Sequence, residues 1–373
     1  MKIKLVFAGD FCTNNPEKIL FSNSLKDLLE SSDVNCINFE APLSKGKLIS
    51  PNGNKLVQSN SSPDYIEKWG FNLISLANNH MCDYGEEGLI HTKQSFKSSI
   101  TVGAGNWLES YEVKYIEIKG IKIGFFSGTS SDFSSLKDKW DDSNKMGCAW
   151  INHYSVNTII STAKKQCDFL IVISHGGIEF MDVPLPEWRD RYRELIEMGA
   201  DAIIGSHPHV PQGVENYQGK PIFYSLGNFC FDKNTTNKPL YWDTSILAIL
   251  EIENNKISFN SIPVVKNENR IDIDVSEKIV NHHNYLSEIL KDDKKYIEKV
   301  NADVLKLYDK YYTWILYSAK AVEIKFSIHN FILFFKTLFL ARRNEKVFLH
   351  QIREESTRWL IIRALKLKSK SAL

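Results

Sequence analysis

GADAIIGSHPHVPQGVE, residues 199–215, decides the fold. Its apolar run Ala202–Ile204 has the residue types of a buried strand, and the polar pair Ser206–His207 follows where a loop begins. The loop carries an H-x-H, His207 and His209, stiffened by Pro208 and Pro211. In an extended segment residues i and i+2 point the same way, so both imidazoles are expected to face one site. Imidazole suits zinc, manganese, iron and nickel. The pattern to seek elsewhere is therefore an apolar strand that ends on a metal-ligating side chain.

That pattern recurs four times. FAGD closes the run Ile3–Ala8 on Asp10, and INFEAPL carries Val34–Phe39 into Glu40. SLANNHMCDYG ends Leu73–Leu76 on Asn78, Asn79 and His80, with Asp83 three residues later, and VISHGGIEF ends Phe169–Ser174 on His175, with Glu179 beyond. Further strands are expected at Lys114–Ile118, Lys122–Ser127 and Ile222–Ser225. Hairpin turns are expected at Lys119–Gly120 and at Asn254–Asn255, the second joining Ile246–Ile252 to Lys256–Ile262. Helical patterns lie at Pro16–Ser31, Pro63–Trp69, Glu86–Ser98, Val156–Gln166 and Pro186–Met198. Strands alternating with helices predict an α/β fold with a mixed sheet, whose functional groups gather at the carboxyl ends of the strands.

The rest of the chain sets bounds on function. With 373 residues, 43% hydrophobic and 24% charged, it can bury a large core. A formal net charge of +1 gives no global attraction to nucleic acid. The six cysteines, at 12, 36, 82, 148, 167 and 230, form no C-x-x-C pair and point to a reducing compartment. The run Leu5–Gly9 is too short for a signal-peptide core, so no export signal is expected, and no run is long enough to span a bilayer. Two units are expected: residues 1–265, and a helical extension over 266–373 in which glycine is absent. Residues 320–373 carry twelve Lys/Arg against four Asp/Glu. Within that extension FILFFKTLFLARR, residues 331–343, reads either as an interfacial helix on anionic lipid or as a helix buried against the main unit.

Hard divalent ions take carboxylate and amide oxygens, and a bridging carboxylate holds two ions ~3.5–4 Å apart, where they polarise a phosphoryl group and activate water. Taken singly, each candidate has a plainer reading: Asp10 as a turn or cap residue, His80 as a satisfied histidine, Asn78–Asn79 as turn chemistry. Together, and in order along the chain, they read as a metal site.

The sequence resembles the CapA family, the poly-γ-glutamate capsule-synthesis proteins with a calcineurin-like metallophosphoesterase fold. The resemblance covers about residues 3–265 and rests on AGD, NFEAPL, LANNHMCDYGEEGL, VGAG, SHGGIEF, GADAIIGSHPHVPQGVE and YSLGNFCFD. It implies a sandwich of two mixed β-sheets flanked by helices. It implies two divalent ions (manganese, zinc or iron) on Asp10, Glu40, Asn79, His175, His207 and His209, with Glu40 bridging and His80 assisting the leaving group. Asn78, Asp83, Glu179 and Asn228 fall near substrate or behind the ligands.

There are departures: Cys12 replaces the histidine of the usual D-x-H, N-F-E replaces G-D-x-x-D, and His175–Gly176–Gly177 replaces HWG. The function expected is a metal-dependent hydrolase, a phosphoesterase acting on a small-molecule or polymer-precursor substrate in capsule or exopolymer biosynthesis. The alternatives are a non-catalytic assembly factor for an envelope-polymer synthase and an amide hydrolase of γ-glutamyl bonds. Nucleic acid is not an expected partner. The expected location is the cytoplasm, with residues 331–373 available for peripheral contact with the inner membrane face, and the oligomeric state is left open.

Overall fold

Side-chain alternation in the strands builds the molecule in layers. In the first strand Ile3, Leu5 and Phe7 enter one apolar cluster while Val6 and Ala8 enter another. In the strand at 169–175 the residues Phe169, Ile171 and Ile173 join the first cluster, and Leu170 and Val172 join a third, facing helices. Successive residues of a strand point to opposite faces, so each strand serves two cores. The first cluster is the space between two sheets, and the other two lie under the flanking helices. Each fully buried Leu, Ile or Phe stabilises this arrangement by roughly 1.5–3 kcal/mol.

The computed structural model describes residues 2–49, 56–138, 145–232, 238–312 and 353–370. Its strands in chain order begin with β1 (Ile3–Cys12), β2 (Leu20–Phe21), β3 (Val34–Phe39), β4 (Leu73–Ser75), β5 (Ile100–Val102) and β6 (Ala104–Gly105). They continue with β7 (Lys114–Ile118), β8 (Ile121–Thr129), β9 (Ser135–Leu136), β10 (Gly147–Ala149), β11 (Phe169–His175) and β12 (Ala202–Ser206). The last six are β13 (Val214–Tyr217), β14 (Lys220–Phe223), β15 (Asn228–Phe231), β16 (Thr244–Glu253), β17 (Lys256–Asn267) and β18 (Arg270–Ile273). The helices are α1 (Asn23–Glu30), α2 (Ser62–Lys68), α3 (Gly85–Ser95), α4 (Trp107–Ser110), α5 (Ser155–Lys164), α6 (Pro186–Glu197), α7 (Glu277–Ile289), α8 (Asp293–Leu307) and α9 (Glu355–Lys370).

A nine-stranded sheet runs β2-β18-β17-β16-β1-β3-β4-β5, with β15 also paired to β1, and a six-stranded sheet runs β13-β14-β12-β11-β8-β7. Both are mixed: β1, β3, β4 and β5 are parallel, β16 and β17 antiparallel. A third sheet, β6-β10-β9, has three short strands. The expected sandwich of two mixed sheets flanked by helices is present, with this small sheet added.

Some expected elements need correction. The helical pattern Pro16–Ser31 is not one helix. It is a short turn at Pro16–Lys18, the strand β2 and then α1. Ser22 separates them, its hydroxyl capping α1 by accepting from Leu25 N–H at 3.3 Å, while Leu20 and Phe21 pair with Arg270 and Ile271. The strand expected at Ile222–Ser225 is Lys220–Phe223. The first strand does not end at Ala8 but runs on to Cys12.

Beyond Ile273 the described chain is helical, through α7, α8, a single π-helical turn at Tyr308–Tyr312, and α9. Leu360 and Ala364 of α9 are fully buried in the helix-side core with Val300 and Val304 of α8. Residues 331–343 lie outside the described residues. Among the described residues, no helix is long and apolar enough to cross a membrane.

Candidate metal centre

The space between the sheets changes character along its length. At the amino ends of the strands it holds Leu5, Cys36, Leu73, Phe125 and Ile171. One or two pleats on, the same faces carry Ser75, Ser127, Asn38, His175 and Ser206, and Ser75 and Ser127 meet across the sheets at 2.9 Å. Continuing the alternation of Val34 and Cys36 puts Asn38 and Glu40 on this inner face, and continuing Ile171 and Ile173 puts His175 there.

Asp10 reaches that face by a different route. Strict alternation from Val6 and Ala8 would send it to the helix side. The register between β1 and β3 shifts between Ala8 and Asp10, so Gly9 is bulged out and the parity reverses. After the shift Phe11 joins the helix-side cluster and Asp10 turns inward. Only glycine fits at the bulge: a Cβ on Gly9 would lie 1.9 Å from the Gly227 carbonyl oxygen, the group that accepts from Asp10 N–H at 2.9 Å.

The H-x-H reaches the site by strained backbone. The segment is not extended, as the sequence suggested: His207 has φ 100° and His209 φ 60°, both in the left-handed region. Each such residue costs about 1–3 kcal/mol and persists where surrounding contacts over-determine it. Here Asp10 Oδ2 accepts from His207 N–H at 3.2 Å.

Two groups of side chains result. Asp10, Glu40 and His209, all buried, present ligand atoms within 4.8 Å of one another. His175 Nε2 lies 2.9 Å from Asn79 Oδ1 and 3.1 Å from His207 Nδ1. Asp10 touches both groups, at 3.6 Å from His175 Nδ1 and 3.6 Å from His209 Nδ1. The six expected ligands therefore converge on one place.

The hydrogen bonding of His209 tests whether this place fits a cation. Asn228 Nδ2 donates to the Trp242 carbonyl at 3.1 Å, which turns Asn228 Oδ1 toward His209 Nδ1 at 2.9 Å. That oxygen can only accept, so the proton sits on Nδ1 and the Nε2 lone pair faces Glu40 Oε1 at 3.7 Å. A lone pair confronting a buried carboxylate calls for a positive charge between them. The donor set of carboxylates, imidazoles and an amide oxygen fits a divalent ion of the manganese, zinc or iron type. Burial pushes the Asp10 carboxyl up to about 7, against hydrogen bonds from Asn38, His207 N–H and Ser206. Burial also drives His175 well below the usual histidine range. Both shifts express the cost of this site without a cation.

The remaining candidates fall around it. Asp83, fully buried, accepts from His80 Nδ1 at 2.8 Å and orients that ring. Asn78 is structural, its amide donating to the Phe39 carbonyl at 2.9 Å and its oxygen accepting from His80 N–H at 3.2 Å. Glu179 is exposed and acts on His207 through its charge. Cys12 packs with Ala41, Phe231 and Trp242. Trp188 supplies the indole beside Gly176, where an added Cβ would lie 2.4 Å from its ring.

Two participants stood in the sequence motifs without an assigned role. Asn38 donates to Asp10 Oδ1 at 2.7 Å and approaches His175 Nδ1 at 3.1 Å, and Ser206 Oγ lies 3.1 Å from the same nitrogen. Asn38 was legible from period-two spacing ahead of Glu40. Ser206 carried no signal beyond preceding His207.

Residues 4–233 match the family model described as Bacterial capsule synthesis protein PGA_cap. The PGA biosynthesis protein CapA of Bacillus subtilis (strain 168) is 34% identical over 221 residues, 57% of this chain and 57% of that protein. The capsule biosynthesis protein CapA of Bacillus anthracis is 32% identical over 222 residues, 56% of this chain and 53% of that one. The chain thus spans a little over half the length of these curated relatives. Among solved structures, a hypothetical protein from Thermus thermophilus aligns with a TM-score of 0.46 at 13% identity, covering 71% of this chain and 100% of that one.

Proposed function

The chain belongs to the bacterial capsule synthesis protein family, and on that premise we propose that it is a metal-dependent phosphoesterase acting on a precursor of an envelope polymer. The observation that carries this reading is the His209 Nε2 lone pair facing Glu40 beside Asp10, with His175, His207 and Asn79 adjoining. Asp10, Glu40 and His209 would hold one ion, and Asn79, His175 and His207 a second. Divalent ions in such a pair supply Lewis acidity toward a phosphoryl oxygen and an activated water.

The chain's own residues do the rest. Asn228 fixes the His209 tautomer, and Asn38 and Ser206 fix the ring of His175, the orienting work that outer partners perform for ligating imidazoles. His80, held by Asp83 through Nδ1, has Nε2 left to deliver a proton to the departing oxygen, and the Asp83 carboxylate stabilises the imidazolium while that proton is held. Contact with a membrane through residues 331–373 belongs to the same proposal.

The test is hydrolysis of p-nitrophenyl phosphate and bis-p-nitrophenyl phosphate by protein reconstituted with manganese, zinc or iron. Turnover that a chelator stops and that His80→Ala lowers by about 10²–10⁴-fold supports the reading. Absence of turnover from metal-loaded protein on both esters and on a γ-glutamyl anilide would favour an assembly role.

A further inference from the structure

A groove of about 610 Å³ lies behind the loop that carries His209, with Val210 and Pro211 on one wall and α8 and the π-helical turn on the other. No side chain of the metal centre lines it, and the helical wall lies beyond residue 233, outside the segment matched to the family. Its charge is concentrated in one place. Lys299 is held by Asp182 at 2.6 Å and by Asp303 at 2.5 Å, and Lys238 lies 3.0 Å from Asp243. Lys306 and Lys310 have no carboxylate partner among the described residues, and the Lys310 ammonium rests over the Tyr311 ring at 4.8 Å. Lys306 lies in the last turn of α8 and Lys310 in the π-helical turn that follows, and both line the groove.

The same groove holds a flat aromatic platform. Tyr241 stacks on His282 with ring centroids 3.8 Å apart and planes at 12°. Tyr241 also holds φ at 65°, an outlier for an aromatic residue. Strain of this kind gathers at ligand sites. So do π-helical turns, which are rare elsewhere.

We propose that this groove binds a nucleoside diphosphate or a molecule built on one. The ring lies against Tyr241 and the two phosphates meet Lys306 and Lys310. The volume suits such a ligand, within the ~300–1,000 Å³ of cofactor-sized sites. Two ammoniums with no carboxylate partner among the described residues match a diphosphate in charge. The inference goes beyond the hydrolase reading and does not depend on it.

The test is calorimetric titration of the full chain, stripped of metal by chelator, with ADP, UDP and pyrophosphate. Both nucleotides are expected to bind, with pyrophosphate weaker by about tenfold for want of a ring. Lys306→Ala/Lys310→Ala should weaken ADP by at least about tenfold at an unchanged thermal midpoint. Tyr241→Gly, which suits the backbone and removes the ring, should weaken ADP and leave pyrophosphate as it was. His209→Ala should bind ADP as the natural chain does. Failure of stripped protein to bind ADP, or full binding by the double lysine variant, would overturn the proposal. Loss of binding in His209→Ala would place the ligand at the metal centre and overturn it too. Pyrophosphate binding as tightly as ADP would overturn the ring assignment.

Discussion

Gly9 decides where Asp10 points. Its bulge reverses the parity of β1, and its lack of a side chain lets the Gly227 carbonyl approach. Gly9→Ala is therefore expected to lower unfolding free energy by more than about 3 kcal/mol, measured by urea denaturation, because backbone has to move to admit the methyl group. A loss under ~1 kcal/mol would show that the strand can slide. The candidate ligands were legible residue by residue: Asp10, Glu40, Asn79, His175, His207 and His209 each stand at or just beyond the end of an apolar run in the sequence. Their placement was less legible. A bulge of one residue looks like an ordinary strand, and the left-handed φ of His207 and His209 leaves no trace in composition. His209→Gly, which adopts such φ freely, should remove the ligand while keeping the loop. It is expected to match or exceed the stability of His209→Ala in thermal unfolding without added metal. A less stable glycine variant would contradict the role given to backbone strain.

Among the elements, the docking of α9 carries a pH signature. Glu355 is buried, and its carboxylate accepts from Trp150 Nε1 at 3.0 Å, Asn152 Nδ2 at 2.8 Å and Ser131 N–H at 3.2 Å. Burial pushes its carboxyl up to about 7 from an ordinary 4.5, with the Asn152 hydrogen bond pulling the other way and the charge of Glu354 adding to the rise. A raised folded pKa means the folded state holds this proton more tightly than the unfolded chain. Glu355 thus contributes stability that is fully present below about pH 4.5 and is lost as pH rises through about 7. Between pH 5.5 and 8.5 this group's share of the loss should be about 2 kcal/mol, and Glu355→Gln should lessen the slope by that amount. An unchanged slope in the variant would assign it to other groups. Nothing in the sequence marked Glu355, because its partners lie some two hundred residues away. The strands and most helices of 1–265 were legible because their apolar periods are local. The helix expected over Pro16–Ser31 failed because β2 is fixed by pairing with Arg270 and Ile271, a tertiary contact.

At the scale of the molecule, the family-matched segment and the C-terminal helices meet at Arg189. It is buried, and it donates to Glu215 at 3.2 Å, to Asp293 at 3.0 Å and to the Leu290 carbonyl at 2.6 Å, joining α6, β13 and α8. Arg193 also pairs with Glu215. Arg189→Met should cost about 2–3 kcal/mol, less than the ~3–5 of a carboxylate stripped of its sole partner. Chemical denaturation would check this, and a change within ~0.5 kcal/mol would show that the helices are held by apolar packing alone. The layered α/β architecture could be read from the sequence because period-two alternation fixes both faces of every strand. The packing of α8 and α9 could not, since their apolar stripes do not say which surface they cover. This architecture ends in a candidate metal centre. Elemental analysis of the purified full chain after dialysis against manganese, zinc and iron tests it most directly, beside Glu40→Gln and His209→Ala. About two ions are expected in the natural chain and at most one in either variant, with all three proteins folded by circular dichroism. Retention of the same metal content by both variants, or no metal in the folded natural chain, would contradict it.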